Sequence, residues 1–192
     1  LSTDQVNLGL RTDQVVALGT AQVASLSSAQ VALGLSTAQV AVMETRDIAA
    51  LTTVNVAALT TAQVRQGLGT SQLVGLTTAQ VTALTTSQIA LGLGTTQVVA
   101  LTTTQVAAME TGDLSKLSTA QVRALETTDL AVLSAAQAQA LTTTQIVALT
   151  TTQIGALTST QVAALDTADI AVLSSAQFQA LDTTDLAVLS TD

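Results

Sequence analysis

The 192-residue chain contains no cysteine, proline, histidine, tryptophan or tyrosine, and Phe178 is its one aromatic residue. Without cysteine there is neither a disulfide framework nor a thiolate metal site. Without histidine as well, the Ser-His-Asp and Cys-His arrangements of nucleophilic catalysis are excluded, and no GxGxxG or GxxxxGKS phosphate loop occurs. Positive charge is scarce: Arg11, Arg46, Arg65, Lys116 and Arg123 stand against thirteen acids, for a net charge of −8. Such a chain has no basic stripe to neutralise phosphates, so nucleic acid and anionic membrane surfaces are not expected partners. Long apolar runs are missing too, because Thr and Gln recur too often for the roughly 20 apolar residues of a spanning helix to accumulate. The chain starts at Leu1 with no Met, basic n-region or h-region, and the expectation is a segment of a longer protein whose targeting signals lie elsewhere.

What remains is a small alphabet of Thr, Ala, Leu, Gln, Val and Ser, and its order is periodic. Aligned on leucine, the chain reads as twenty-three complete octads, starting at Leu1, Leu10, Leu18, Leu26 and so on to Leu181, with a truncated one at Leu189. LTTTQVAA at 101–108 is representative. The first position is Leu except at Met43 and Met109, the fifth is always Gln, Asp or Asn, and the sixth is always apolar.

This pattern encodes a helix start. Thr102 and Gln105 have the spacing of a capping box, which places Leu101 at N′ and Val106 at N4, where the two can close as a hydrophobic staple. Aspartate at N3 serves the same end through the helix dipole. The third position is also Thr in most octads, as at Thr103, and is an alternative cap. The second position is favoured because Ser, Thr, Asp and Gly fill most of it, although Arg11, Glu44, Glu110 and Glu126 are poor caps.

One continuous helix is disfavoured, since eight residues advance about 800° and rotate each leucine by roughly 80°, leaving no lasting apolar stripe. A β-solenoid requires inward residues of one parity, whereas Leu101 and Val106 are five apart; it is kept as the alternative because Thr and Val favour strands. The expected fold is all-α, a solenoid of very short capped helices, one per octad. A helix this short is far below the roughly 12–15 residues needed for marginal stability alone, so neighbouring turns must hold one another.

Residues 1–192 are read as a single repeat array in two styles. In 1–92, Gly9, Gly34, Gly67 and Gly92 are inserted as ninth residues, with spacings of 25, 33 and 25, and each suits a left-handed C′ position that ends a helix. Residues 93–192 carry uninterrupted octads. Phe178, Met43 and Met109 read as core variants.

Five octads carry acids at both the second and fifth positions: Glu44/Asp47, Glu110/Asp113, Glu126/Asp129, Asp166/Asp169 and Asp182/Asp185. The plain reading is charged helix N-termini. No metal site is assigned, but calcium is a candidate ligand for the last four pairs, because hard cations take several carboxylate oxygens. The octads at 109 and 125, and those at 165 and 181, are sixteen residues apart, so two octads per turn would stack their carboxylates in register. No cofactor and no enzymatic activity are otherwise expected.

The strings LTTTQVAA, LTTTQIVA and LSTAQVRA resemble the short Leu-Thr-Thr-x-Gln-Val/Ile-x-Ala repeats of very large bacterial surface or secreted adhesin-like proteins, over essentially the whole chain. That resemblance implies a secreted or cell-surface stalk, spacer or filament-forming segment. The start of each octad also resembles the LTPEQVV opening of a TAL-effector repeat, but the 34-residue period, variable di-residue and basic charge of that family are missing, so DNA reading is not implied. An open solenoid is expected to show the same apolar stacking surface at both ends and so to self-associate, end to end or side by side. The competing expectation is a repetitive binding surface, with Thr and Gln ladders contacting ice, glycans or a partner array; thermal hysteresis or a glycan-array signal distinguishes it from a passive spacer.

Overall fold

The computed structural model describes residues 1–189, and residues 190–192, the rest of the truncated octad, lie outside the described residues. Each of the twenty-three complete octads forms one helix: nineteen α-helices of four to six residues and four π-helices of five. Among the described residues there are no strands, which removes the β-solenoid alternative. The caps lie at the second position. Thr102 Oγ1 accepts from Gln105 N at 3.2 Å while Gln105 Oε1 accepts from Thr102 N at 3.0 Å, so two orphan N–H donors of the helix start are each satisfied by the other residue's side-chain oxygen. Ser36 and Gln39 repeat this at 3.2 and 2.8 Å. Where the cap is Gly19, Gly69 or Gly94, the glutamine half survives at 2.7–2.8 Å.

The chain divides into two compact units, Leu1–Leu101 and Thr102–Asp192, each a solenoid in its own right. In the first, helix Thr12–Val16 packs on Thr37–Val42, three octads on. In the second, Thr119–Ala124 packs on Thr143–Ala148, again three octads on. Bonds from fifth-position amide side chains to the preceding coil, meanwhile, reach back 28 to 33 residues. One turn therefore holds between three and four octads. The core of each unit is built from first-position leucines and sixth-position aliphatics, such as Leu59 and Val56 in one and Leu149 and Ile146 in the other, all buried. A single helix of this length has no stability of its own, so this shared core is what makes the octads helical.

The inserted glycines are not left-handed, because no described residue has a positive φ. Each instead ends a π-helix: Gln5–Gly9, Gln30–Gly34, Gln63–Gly67 and Gln88–Gly92. In an ordinary octad the next leucine N–H bonds the sixth-position carbonyl, as Leu101 N does to Val98 O at 3.2 Å. With a ninth residue it bonds the fifth, as Leu68 N does to Gln63 O at 3.0 Å. The widened turn absorbs the insertion, and Leu35, Leu68 and Leu93 stay buried. Glycine is needed for close approach: a Cβ on Gly67 would sit 2.9 Å from Val40 Cβ and 3.2 Å from Thr37 O, whereas one on Gly9 would meet only Gln5 Cβ at 3.9 Å. Gly67→Ala is therefore expected to destabilise by about 1–2 kcal/mol through overpacking. Gly9→Ala should be neutral or slightly stabilising, and equal losses in urea melts of the two variants would refute the steric account.

Candidate functional site: the glutamine clamp between coils

The fifth-position glutamine has two polar ends, and the capping box uses only the oxygen. The structure spends the amide nitrogen on the preceding coil. Gln39 Nε2 donates to Val6 O and Leu10 O, both at 2.8 Å, and Gln161 Nε2 to Leu130 O and Leu133 O, both at 2.7 Å. Gln63, Gln72, Gln88, Gln97, Gln145 and Gln153 do the same. One amide thus caps its own helix and ties down the carbonyls left over where a helix below ends and the next leucine begins. From Gln39 onward every fifth-position side chain in the complete octads is buried, and for the clamping glutamines burial is tolerable because both polar ends are bonded. Sequence reasoning found the cap and missed the clamp. A signal was present: the capping box accepts Glu as readily as Gln, yet Glu never fills the fifth position in twenty-three octads. A glutamate has no hydrogens to donate.

Asn55 shows the minimum requirement, since its Nδ2 reaches Leu26 O at 2.8 Å. The aspartates cannot donate at all. Asp47 is buried with neither carboxylate oxygen hydrogen-bonded, and the Arg46 guanidinium comes no nearer than 3.9 Å. Arg46 is instead paired at 2.8 Å with Glu44, an exposed contact of small energetic weight. Asp185 is better served, accepting from the Ser159 hydroxyl at 2.9 Å and from the Asp182 N–H at 3.1 Å. Asp129 accepts from the Glu126 N–H at 3.2 Å. Burial pushes the Asp129 carboxyl above its ordinary 3.8, the Glu126 charge adds to that, and the backbone bond opposes both.

A raised folded-state pKa means that the folded form binds the proton more tightly. The contribution of Asp129 is then fully present below its ordinary pKa and is lost as pH rises through the raised one. Asp129→Asn is expected to flatten that part of the stability–pH curve and to gain most at neutral pH. An unchanged pH profile in chemical denaturation would refute this.

The acidic octads do not stack in the expected way. Glu110, Glu126, Asp166 and Asp182 sit at caps, while Asp113, Asp129, Asp169 and Asp185 are buried at N3. Sixteen residues is about half of the 28 to 33 that separate bonded positions of successive coils, so octads at that spacing are not superposed. A turn of three to four octads does not meet the condition of two octads per turn under which these carboxylates would stack. Among the described residues, no three or more carboxylates are grouped as a metal ion would need.

The surface depressions are shallow and shaped by the repeat. One groove of about 670 Å³ runs between Met43–Arg46 and Gly69–Gln72 and is open to solvent. A second, of about 420 Å³, lies between Arg123–Thr128 and Thr150–Gln153. Each brings one arginine and one cap glutamate to its rim, with no convergent set of polar groups. Among the described residues, no helix is long and apolar enough to cross a membrane.

A protein-family model, the ALTTAQ repeat, matches residues 9–43, 40–74, 106–143, 139–167 and 162–192. No curated protein and no solved structure matches the chain. The string ALTTAQ itself stands at 58–63, where Leu59 is buried in the core, Thr60 caps the helix and Gln63 supplies the clamp. With the matched stretches covering well over half of its residues and the repeat's own letters assigned to core, cap and clamp, the chain belongs to the ALTTAQ repeat family.

Proposed function

We propose that this chain is a structural spacer without enzymatic activity: an extracellular stalk segment of a bacterial surface or secreted adhesin-like protein, whose task is to hold other parts of that protein apart. The observation that carries this reading is where the polar chemistry goes. The buried polar side chains are fifth-position residues, and most are glutamines engaged in joining one coil to the next. What an octad does is support another octad, and length is the property that repetition supplies. A net charge of −8 with scattered cations favours a soluble surface that binds neither nucleic acid nor anionic lipid.

Small-angle scattering of dilute, monomeric protein tests the spacer directly. The expected result is a distance distribution with a long tail and a cross-section of one coil. A symmetric distribution with the radius of gyration of a globular chain of this length, about 16 Å, would end the reading.

A further inference from the structure

Inside the Leu1–Leu101 unit, one clamp position keeps its acceptors and lacks a donor. Among the described residues, the two carboxylate oxygens of Asp47 are the buried side-chain atoms left without a hydrogen bond, on a residue only 1% exposed. Other acidic octads differ: Asp129 and Asp185 accept the N–H of their cap residues, and Asp185 also the Ser159 hydroxyl. Two neighbours carry charge, and neither compensates Asp47. Glu44 has the same sign and makes no side-chain cap. Arg46 is largely exposed and pairs with Glu44 at 2.8 Å, so these two neutralise each other and leave the Asp47 charge standing.

What Asp47 faces is more oxygen. Its helix, Thr45–Ala50, packs on Thr20–Ala24, the helix that Leu18 opens. Gln72 Nε2 reaches back 32 and 29 residues, to Val40 O at 2.9 Å and Met43 O at 2.7 Å. The same steps from Asp47 lead to Val15 O and Leu18 O. Asn55, whose side chain has the length of aspartate, shows that this length aims at the preceding coil, since its Nδ2 donates to Leu26 O at 2.8 Å. In a glutamine octad an NH2 group stands between the two carbonyls. At Asp47 its place is bounded by a carboxylate and two carbonyls, a set of hard oxygens that suits a hard cation. With one carboxylate the site balances one positive charge, and the several carboxylates that favour a divalent ion are not grouped among the described residues. A potassium ion stands about as far from carbonyl oxygens as an amide nitrogen does, and carbonyls readily replace its hydration shell.

We propose that Asp47 is the anionic ligand of a monovalent-cation site enclosed between two coils, where an ion of potassium's size takes the place of the clamp amide and is held by the Asp47 carboxylate and the Val15 and Leu18 carbonyls. The ion joins one coil to the preceding one as the amide does elsewhere, so this joint is as firm as the ion supply makes it. Without the ion the carboxylate is an uncompensated buried charge, and a glutamine in its place holds the joint better. With the ion the difference narrows. Because the ligands are buried, the ion enters when the joint opens locally. The site goes beyond the spacer reading and does not depend on it: ion binding concerns one joint, whatever the chain holds apart.

Urea melts of the whole chain in the chlorides of potassium, lithium and tetramethylammonium, at one ionic strength, are the test, with amide exchange followed at residues 15–26 and 44–52. The midpoint is expected to be highest in potassium and to rise with the logarithm of its concentration, as linkage requires. Exchange at those residues should slow in the same order. Asp47→Asn keeps the size of the side chain, removes the charge and gains a donor of the Asn55 kind; its midpoint should be the same in all three salts. Asp47→Gln should behave likewise, so a folding defect in one variant does not decide the matter. Thallium(I), a heavy ion of potassium's size, should give an anomalous-scattering peak beside Asp47 in crystals of the wild type. Equal midpoints in potassium and tetramethylammonium would overturn the proposal. So would an equal gain in lithium, which would mark general screening of the net charge, or a potassium dependence that survives in both variants, or crystals without the thallium peak.

Discussion

Gln161→Glu is expected to destabilise the Thr102–Asp192 unit by about 3–5 kcal/mol at neutral pH, although it changes one NH2 group to an oxygen. The wild-type side chain accepts from Thr158 N at 2.7 Å and donates to Leu130 O and Leu133 O, both at 2.7 Å, from a buried position. A glutamate keeps the cap and reverses the clamp. Two donated bonds become a buried carboxylate facing two carbonyl oxygens, so both sides of the contact lose their partners and the charge loses its water. Acid should reverse the loss, because a protonated carboxyl regains one donor. The folded-state pKa of the new group is raised, so its full contribution returns below the ordinary glutamate value of about 4.3 and falls away as pH rises. Gln161→Met separates charge from clamp: it fills the space, gives up cap and clamp, and should cost less at neutral pH without depending on pH. Amide hydrogen exchange is the suitable readout, since a repeat array can open locally without unfolding as a whole. Protection factors near residues 130–165 that do not differ between the wild type and Gln161→Glu would show that the clamp contributes little.

The second large effect runs in the opposite direction. Asp47→Gln should stabilise the Leu1–Leu101 unit by about 2 kcal/mol, an unusual sign for a substitution in a core. Both Asp47 carboxylate oxygens are buried without a hydrogen-bond partner. By the register of the repeat, a glutamine there meets the carbonyls of Val15 and Leu18, as Gln39 meets those of Val6 and Leu10. The substitution removes an uncompensated buried charge and adds the two bonds that the neighbouring octads already make. Asp47→Ala is the control, because it removes the charge without supplying a donor and opens a gap. The expected order of urea midpoints is Gln above Ala, with Gln above the wild type. A glutamine variant less stable than the wild type would mean that Asp47 is held by something other than the groups around it here.

That an aspartate persists where a glutamine would hold better is visible only in three dimensions. In the sequence, Glu44/Asp47 and its four counterparts look like acidic helix starts, and the dipole argument for them is sound as far as it goes. It does not register that N3 is buried against another coil, where the same charge is unfavourable. The candidate calcium pairs failed to stack for a related reason. Their spacing is a fact of sequence, whereas superposition depends on the number of octads per turn, which is a matter of packing angle.

The inserted glycines divide along the same line. That Gly34, Gly67 and Gly92 interrupt the octads is plain in the letters, and a helix ending in glycine ordinarily suggests a left-handed turn. In this fold the ninth residue is taken up by a π-turn, and glycine is required because a Cβ there would come within about 3 Å of Val6, Val40 or Val64 of the preceding coil. Nothing within nine residues of Gly67 encodes the approach of Val40.

By itself, the sequence determined most of what acts within one octad: that each octad starts a helix, that the first and sixth residues form its apolar pair, and that no octad can stand alone, while the second and third positions stayed rival caps. These are contacts between residues three to five apart, fixed by backbone geometry and side-chain chemistry. Tertiary structure alone decided the size of the turn, the second half of the glutamine's role, the π-widening at the glycines and the discomfort of the buried aspartates. All of these are contacts 25 to 33 residues apart, set by the angle at which short helices pack, and a repeat so uniform looks the same in its letters whichever neighbour that angle selects.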